Sequence, residues 1–369
     1  MPIRALEFYS GIGGLHLALS RTELDAQVIQ AFDWDQTACQ VYSANHGGIV
    51  NKVDISTLTA TQLAGYKADL WLLSPACQPY TVLNPNAKGA MDPRAQSFLH
   101  LIQNVLPELA LSDDHPQRLL VENVAGFEAC IAFSSTRQIL VSALQSTGYE
   151  TLELLLTPLQ FSIPNSRLRY YMLAKRKPLS FHAVQGDSSR LWRQIPGVGI
   201  PWTDPRLDEE SYSTHSTLAI KEFLDTSEHT GGCFIPEKVL LKWGRLFDIV
   251  KPTSRRTCCF TRGYTQLVER SGSILQKAEI LDTTKIFDDF LAAQARADED
   301  PVKILRPLGL RYFSPEELLR LFSFDSLSPS SGPSFTWPPN ISTKSKYKLI
   351  GNSVNVKVVE SLIRYLFVD

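Results

Sequence analysis

The chain has 369 residues, of which 44% are apolar and 20% are charged. This length is typical of two domains rather than one, and it can bury a large core without disulfides or metals. A net charge of −1 argues against a protein that holds nucleic acid by bulk electrostatics alone, although a local basic patch remains compatible with it.

The cysteines and the N-terminal residues exclude further classes of protein. The six cysteines, at positions 39, 77, 130, 233, 258 and 259, form no C-x-x-C pair and fit neither a zinc site nor a secreted disulfide framework. Residues 1–6 show no signal-peptide pattern, and no apolar run approaches the ~20 residues that span a bilayer. We therefore expect a protein of the cytoplasm or the nucleus, with no metal site and no membrane partner.

The first 180 residues alternate short apolar runs with stretches of helical spacing. The predicted strands are 4–10, 26–32, 68–74 and 118–121, and the predicted helices are 15–21, 37–45 and 94–109. This alternation is typical of an α/β fold with a doubly wound, mostly parallel sheet. Residues 152–175 read as two extended runs, which we expect to form an antiparallel hairpin at the edge of the sheet.

The texture of the sequence changes after about residue 183. Residues 185–228 are first rich in Gly, Pro, Ser and Trp and then acidic, and residues 326–339 read as a Pro- and Ser-rich linker. Residues 344–367 end in an apolar helical pattern, so we expect the last helix to pack on the first domain. The predicted division is a first domain of residues 1–183 plus 339–369 and a smaller, irregular domain with its linker at 184–338.

A glycine turn follows the first predicted strand, where residues 9–14 read Tyr-Ser-Gly-Ile-Gly-Gly. Glycines permit a tight turn and a close approach of a ligand to the backbone. Asp33 lies 19 residues past Gly14, close to the spacing at which an acid binds ribose hydroxyls, and Trp34 is placed to stack on a purine. The full dinucleotide fingerprint is absent, so these residues favour a smaller adenosine cofactor over NAD; a purely structural turn is the alternative.

Reactive side chains follow the next two strands. Cys77 stands in a Pro-bounded loop, where a thiolate would be a strong nucleophile. The alternative is a small buried residue, which we expect for Cys39 and Cys130. Glu122 directly follows the fourth strand and is a candidate acid or hydrogen-bonding group, with a helix N-terminal acid as the alternative.

The predicted hairpin contributes Arg167 and Arg169, which are two residues apart and therefore on one face of a strand. An arginine pair is a natural clamp for an anion or a carbonyl oxygen, and a solvated strand face is the alternative. Open α/β sheets build their sites at the carboxyl ends of their strands. We therefore expect the glycine turn, the acids, the thiol and the arginines to converge.

Six sequence blocks occur in a fixed order: FYSGIGG, FDWD, SPACQPYT, ENV, SRLRYYML and GNSVN. In these blocks the chain resembles the cytosine-5 methyltransferase family over nearly its whole length. Two segments, CFT at 259–261 and IPNSRLRY at 163–170, are most similar to the eukaryotic branch that methylates position 38 in the anticodon loop of tRNA-Asp.

The resemblance implies a Rossmann-like methyltransferase fold with a smaller target-recognition domain. It implies S-adenosylmethionine as methyl donor and S-adenosylhomocysteine as product. By analogy Asp33 holds the ribose, Trp34 flanks the adenine, and Asp54 reads the adenine amino group. The other cofactor-binding residues that it implies are Tyr9, Ser10, Gly11, Gly13, Pro75, Asn352 and Ser353.

The implied reaction transfers a methyl group to C5 of cytosine. Cys77 attacks C6 to form a covalent adduct, Glu122 hydrogen-bonds the N3 and amino edge, and Arg167 or Arg169 holds O2. Ala76 departs from the family, which usually has proline before this cysteine. Because proline fixes φ, we expect Ala76 to loosen the loop and slow catalysis without abolishing it.

Basic residues concentrate in stretches 161–180, 242–277 and 341–357, whose net charges are +5, +6 and +4. Such segregation suits an RNA-reading face, and scattered solvated charge is the alternative. In the densest stretch, arginines suit phosphates and aromatic rings suit unpaired bases. The predicted RNA-binding residues are Arg255, Arg256, Cys259, Phe260, Thr261, Arg262 and Tyr264.

The expected partner is tRNA, with tRNA-Asp first, and we expect weak DNA binding and a monomer. A DNA cytosine-5 methyltransferase is one rival, because its chemistry would be the same. A catalytically weak RNA-binding homologue is the other, and Ala76 is its only support. Near-neutrality predicts a modest dependence of RNA binding on salt.

Overall fold

The computed structural model describes residues 1–80, 89–129, 134–184, 190–198, 217–225, 233–327 and 334–368. The predicted position of Cys130 and most of the acidic stretch lie outside these residues. Within them, every helix is too short or too polar to cross a membrane.

The strands of the described residues form one large and one small sheet. They are β1 (Ile3–Phe8), β2 (Ala26–Asp33), β3 (Val50–Lys52), β4 (Leu70–Leu73), β5 (Arg118–Val124), β6 (Tyr149–Leu156), β7 (Arg169–Arg176), β8 (Leu191–Trp192), β9 (Ile249–Val250), β10 (Ile274–Gln276) and β11 (Leu310–Arg311).

The helices of the described residues cover both faces of the large sheet and fill the second half of the chain. They are α1 (Gly14–Ser20), α2 (Gln36–His46), α3 (Ala60–Ala64), α4 (Gln96–His100), α5 (Leu106–Leu111), α6 (Gly126–Ala129), α7 (Ser134–Ser146), α8 (Glu237–Trp243), α9 (Thr283–Ala295), α10 (Pro315–Leu321), α11 (Thr343–Asn352) and α12 (Val356–Leu366).

The large sheet has the strand order β3-β2-β1-β4-β5-β7-β6-β8, and its first five strands are parallel. This confirms the predicted fold class. The four predicted strands and the first two predicted helices are all present. The stretch predicted as one helix at 94–109 is α4 and α5, which a π-helical segment, Leu101–Val105, joins.

The predicted hairpin is present, but it does not form the edge of the sheet. β6 and β7 pair antiparallel over their whole length, and β7 also pairs antiparallel with β5. The two-residue β8 then pairs with β6 and is the last strand on this side. Both hairpin strands are almost continuously buried, and a strand that is buried on both faces belongs inside a sheet.

The sheet brings four strand ends together. The chain winds outward in one direction from β1 through β2 to β3 and in the other through β4 to β5, so the order reverses between β1 and β4. Ligands bind at this kind of switch point, outside the carboxyl ends of the strands. The loops that follow β1, β2, β4 and β5 meet here.

The C-terminal helix returns to the large sheet, as the sequence pattern predicts. The Asn355 side chain caps the start of α12 by accepting a bond from the Val358 N–H. At the other end, Arg118 Nε of β5 donates to the Leu366 carbonyl at 3.2 Å. One apolar cluster joins Leu15 of α1 and Leu362 of α12 with residues of the second half of the chain, so both halves share a core. The predicted domain boundaries stay a prediction.

Candidate active site

The glycine turn after β1 is held in a shape that ordinary residues resist. Tyr9, Gly11 and Gly13 have φ angles of 58°, 54° and 86°, in the left-handed region. A Cβ on Gly13 would lie 2.2 Å from His46 Nε2, so the turn has no room for a side chain there. The Ser10 hydroxyl is buried and has no hydrogen-bond partner among the described residues, which leaves it available to a ligand.

Asp33, at the end of β2, orders the loops on both sides of it. One carboxylate oxygen accepts a bond from the Gly11 N–H at 2.8 Å, and the other accepts one from the Asp35 N–H at 2.8 Å. Burial raises the pKa of Asp33. Because a carboxylate has about four acceptor positions, Asp33 can still accept bonds from ribose hydroxyls. Trp34 follows it with 78% of its surface exposed.

The loop after β4 carries Cys77 and is tied to its neighbours. Asn123 Nδ2 donates to the Pro75 carbonyl at 3.3 Å, and the Ser74 hydroxyl donates to the Tyr9 carbonyl at 3.1 Å. Burial raises the pKa of the Cys77 thiol, and the positive charge of Arg169 opposes this shift. Cys77 therefore rests as a thiol beside a group that stabilises its thiolate.

Glu122 and Arg169 form a buried pair beside this loop. Arg169 Nε lies 3.5 Å from Glu122 Oε1. Burial raises the pKa of Glu122, and Arg169 opposes that shift as well. A carboxyl group that retains its proton can donate a hydrogen bond to a ring nitrogen, which the resemblance implies for this residue.

Arg167 was one of two candidates for holding O2 of cytosine, but its terminal nitrogens bind carbonyl groups of the protein itself. Its Nη1 donates to the Phe260 carbonyl at 3.0 Å, and its Nη2 donates to the Gly351 and Ser353 carbonyls at 3.2 and 2.7 Å. These bonds join three distant segments of the chain at the wall of the cleft. Of the two arginines left open for O2, Arg169 is therefore the better candidate.

One cleft brings most of the predicted site residues together. Its walls include Tyr9, Ser10, Gly11, Asp33, Trp34, Pro75, Cys77, Glu122, Arg167, Arg169, Asn352 and Ser353. Two predicted cofactor residues lie elsewhere. Gly13 packs against His46, and the exposed Asp54 caps a short 3₁₀ helix by accepting a bond from the Ser56 N–H at 2.9 Å.

Two of the predicted RNA-binding residues are in the core, and that prediction is wrong for them. Phe260 and Tyr264 are 0% and 1% exposed, and their rings pack edge to face. The Tyr264 hydroxyl donates to the Ser273 carbonyl and accepts a bond from the Phe313 N–H. These rings cannot stack on unpaired bases because neighbouring aromatic side chains already cover them.

The other predicted RNA-binding residues differ in whether the protein itself already binds their side chains. Arg255 donates to the Thr217 carbonyl, and Arg256 pairs with Asp248 at 2.9 Å. Among the described residues, the exposed Arg262 has no ion-pair or hydrogen-bond partner, and its charge favours the Cys77 thiolate. Thr261 is half-buried.

Cys259 lies beneath the two arginines of the site. Its Sγ accepts bonds from Arg167 Nη1 at 3.4 Å and from Arg169 Nη2 at 3.6 Å. These charges lower the pKa of Cys259 although burial acts in the opposite direction. Its sulfur therefore faces the arginines and not an RNA surface.

The path of residues 261–262 explains the glycine in the GNSVN block. A Cβ on Gly351 would lie 2.3 Å from the Arg262 nitrogen and from the Thr261 carbonyl carbon. The backbone of Thr261 and Arg262 therefore crosses Gly351 directly, and no residue with a side chain would fit at this position. This close approach forms one side of the cleft.

Two residues of the site were missed at the level of sequence. Asn123 is 1% exposed and fixes Pro75, and its place beside Glu122 in the ENV block was a usable signal. Ser97 accepts a bond from the Tyr9 hydroxyl at 3.1 Å, and no sequence pattern pointed to it.

The lining of the cleft fits an adenosine cofactor. Within the part of the chain that the structure describes, the buried Ser10 hydroxyl lacks a partner, and the space beside the Cα of Gly11 is open for 4 Å. Asp33 retains acceptor capacity, and the indole of Trp34 is exposed. Cys77 and Glu122 lie in the same cleft, so a bound cofactor and a base would share one cavity.

Comparisons with known proteins agree with this geometry. The chain is 39% identical over 365 residues to the tRNA (cytosine(38)-C(5))-methyltransferase of Schizosaccharomyces pombe, and the match covers 99% of this chain and 96% of that protein. It is 34% identical to the DNA (cytosine-5)-methyltransferase of Dictyostelium discoideum, with 99% and 94% covered. The crystal structure of a Spodoptera frugiperda DNMT2 mutant has a TM-score of 0.78 at 32% identity and covers 99% of both chains.

The match to a family extends over nearly the whole chain. Residues 3–367 correspond to the family described as C-5 cytosine-specific DNA methylase. Enzymes of this family use S-adenosylmethionine as methyl donor. The described cleft carries the thiol, the carboxyl group and the adenosine-binding features that such chemistry needs. The chain belongs to the C-5 cytosine-specific methylase family.

Proposed function

We propose that this protein methylates C5 of a cytosine in tRNA, at position 38 of the anticodon loop and first of all in tRNA-Asp, through a covalent adduct between Cys77 and C6. The observation that carries the proposal is the convergence of Cys77, Glu122 and Arg169 in the cofactor cleft. The similarity to full-length relatives named as tRNA methyltransferases supports RNA as the substrate.

Cys77 acts as the nucleophile. C5 of cytosine is too weak a nucleophile to accept a methyl group directly, and attack of the thiolate at C6 places electron density on C5. The charge of Arg169 favours the thiolate that this attack requires. S-adenosylmethionine, when bound, supplies the electrophilic methyl group. Loss of the C5 proton and expulsion of Cys77 complete the cycle.

Glu122 and Arg169 stabilise the charge that develops on the ring. Glu122 keeps its proton at higher pH than an ordinary carboxyl group and can donate it to N3. Arg169, which is already aligned by Glu122 and by the sulfur of Cys259, is placed to hold O2. Both groups are fixed before the reaction begins, which is the arrangement that electrostatic catalysis needs.

The free cations of the basic stretch 242–277 support a face for RNA, and one of them, Arg262, acts on the charge of Cys77 in the cleft. In the stretch 242–277, Lys251 donates to two backbone carbonyls and Arg256 pairs with Asp248. Among the described residues, Lys242, Arg245 and Arg262 are exposed and have no acidic partner. An anticodon loop is already unpaired, so extrusion of its cytosine costs less than it would in a duplex.

The test is methyl transfer from labelled S-adenosylmethionine to tRNA transcripts and, separately, to duplex DNA. We expect label in tRNA-Asp, none with Cys77→Ala, and unchanged activity with the matched control Cys233→Ala. A tRNA that carries 5-fluorocytidine at position 38 should form a denaturation-resistant complex with wild type alone, because fluorine cannot leave C5 as a proton does. Label in DNA alone would contradict the proposal. RNA binding without any product would support the catalytically weak homologue that Ala76 suggests.

A further inference from the structure

A buried carboxyl group lies directly behind the glycine turn and has no role in the mechanism above. Glu7 of β1 is 0% exposed, whereas its neighbours Leu6 and Phe8 pack on the opposite face of the sheet. Within the described residues no cation forms an ion pair with Glu7. A buried charge without a cation is costly, so this position needs a compensating function or an uncharged state.

The Glu7 carboxyl group holds the start of α1. The cap residue of this helix is Gly13, which offers no side-chain acceptor. One Glu7 oxygen instead accepts a bond from the His16 N–H at 3.2 Å. The turn that lines the cofactor cleft is therefore held on one side by Asp33, at Gly11, and on the other by Glu7, at His16.

The second Glu7 oxygen is part of a chain of hydrogen bonds. It lies 2.8 Å from the Tyr42 hydroxyl, which lies 2.8 Å from His16 Nδ1. The His16 ring stacks on His46 at 4.1 Å between centroids, and His46 packs directly against Gly13. The chain of Glu7, Tyr42 and His16 thus lies beneath the whole glycine turn.

The groups that face Glu7 determine where the protons reside. Burial raises the pKa of Glu7 to about 8, and the Asp33 carboxylate on β2 acts in the same direction. Burial lowers the pKa of His16 on α1 to about 4 and that of His46 on α2 to about 3. At neutral pH both imidazoles are uncharged and Glu7 carries a proton.

Loss of that proton reverses the direction of the hydrogen bonds in this chain of three side chains. Protonated Glu7 donates to the Tyr42 oxygen, and Tyr42 then donates to His16 Nδ1. In the ionised chain Tyr42 donates to Glu7, so His16 must change tautomer and donate from Nδ1 to Tyr42. The new anion also lies near the Asp33 carboxylate and lacks a cation. Water must approach Glu7 to stabilise it, and the start of α1 contacts the carboxyl group through the His16 N–H, so this element has to move.

We propose that Glu7 is a positioning residue, and that the chain of Glu7, Tyr42 and His16 holds the glycine turn in its cofactor-binding shape only while the chain carries no net charge. The inference rests on the cofactor used in the proposed function and is independent of the RNA substrate. Binding of S-adenosylmethionine and S-adenosylhomocysteine should therefore weaken above about pH 8, through the turn and not through any contact of Glu7 with the ligand.

The test is calorimetric titration of the full chain with S-adenosylhomocysteine from pH 6.5 to 9.5. For wild type we expect a Kd about tenfold weaker at pH 9 than at pH 7, because only about a tenth of a group with a pKa of 8 is protonated at pH 9. Glu7→Gln mimics the protonated acid, since its amide accepts from His16 and donates to Tyr42. Its Kd should match wild type at pH 7 and stay within about twofold at pH 9.

The amino group of the ligand titrates in the same range, so the difference between wild type and Glu7→Gln is the decisive quantity. The matched control is Glu153→Gln, which changes a buried carboxyl group of β6 that pairs with Arg137 of α7. This variant should keep the dependence of wild type on pH. Equal weakening of wild type and Glu7→Gln at pH 9 would overturn the inference.

Tyr42→Phe tests the chain independently of Glu7→Gln. The bond from Tyr42 lowers the pKa of Glu7, so its removal should move the midpoint of weakened binding to higher pH. A midpoint at unchanged or lower pH would contradict the inference, since a purely structural role of Tyr42 changes affinity without moving the midpoint. If wild type bound no S-adenosylhomocysteine at any pH, both the cofactor assignment and this inference would be refuted. The result of the methylation test with tRNA has no bearing on the inference.

Discussion

The two arginines before and within β7 show how two residues of one type, two positions apart, take different roles. The terminal nitrogens of Arg167 donate hydrogen bonds to carbonyl groups of distant segments, whereas Arg169 lies beside Glu122 and Cys77. Geometry and not residue type therefore separates a group that shapes the cleft from the one that we propose for the substrate.

We expect Arg169→Lys to lower kcat by about 10²–10³, because one preorganised donor to the developing charge is lost. Affinity for S-adenosylhomocysteine should change little, and single-turnover kinetics with isothermal titration would measure both. Arg167→Lys should instead lower the free energy of unfolding by about 3 kcal/mol, since several charge-assisted bonds are lost. Full stability of Arg167→Lys in urea titrations would argue against its structural role.

At the scale of elements, the register between β5 and β7 builds the proposed catalytic pair of Glu122 and Arg169. Glu122 lies opposite Tyr171, and Arg169 lies opposite Val124. Glu122 and Arg169 are therefore diagonal neighbours on one face of the sheet, a spacing that long side chains can bridge. A slip of one residue would turn Arg169 to the other face, so the hairpin that the sequence pattern predicts is also what aligns the site.

Asn123 connects this strand with the loop that carries Cys77. We expect Asn123→Ala to release Pro75, to lower kcat about tenfold and to cost about 1–2 kcal/mol of unfolding free energy, since a buried carbonyl loses its donor. Stopped-flow methyl transfer and urea unfolding would measure these effects. Asn123→Asp, which keeps the size but lacks the amide donor, should lose activity to a similar degree; normal activity in both variants would show that the contact does not hold the loop.

At the scale of the whole molecule, the net charge of −1 conceals a separation of charge along the chain. The fold then reduces the number of cations in the stretch 242–277 that are free to bind RNA, because three of them bind carbonyls or acids of the protein itself. Among the described residues, five of its eight cations stay exposed without a hydrogen-bond or ion-pair partner, so RNA binding should rely on a few local contacts and on the shape of the loop.

We expect Arg262→Ala to weaken tRNA binding several-fold and to reduce the slope of log K against log salt by about 0.7–1, as the loss of one phosphate contact does. Arg256→Ala, from the same stretch but paired with Asp248, should change the slope less. Fluorescence anisotropy between 50 and 200 mM salt would measure both. A larger effect of Arg256→Ala would place the RNA on a different face.

Particular residues show how far sequence reasoning reached. Asp33, Cys77 and Glu122 were recognisable because each follows an apolar run, and parallel strands place such positions at one edge of the sheet. Phe260 and Tyr264 were misplaced because aromatic residues among arginines look alike in a core and on a nucleic-acid face. Glu7 carried no signal, since a glutamate within a strand reads as a solvated residue until the helices that cover it are known.

The sequence by itself determined the alternation of strands and helices in the first 180 residues, the residue types available for chemistry and the resemblance to a methyltransferase family. These properties depend on local patterns and ordered blocks. Only the tertiary structure decided which arginine lies beside Glu122, which cations remain free and where the hairpin lies in the sheet. Those outcomes depend on contacts between residues far apart in the chain. The opening net charge is an example: its sum is a property of composition, whereas its effect on RNA depends on which charges the fold leaves unpaired.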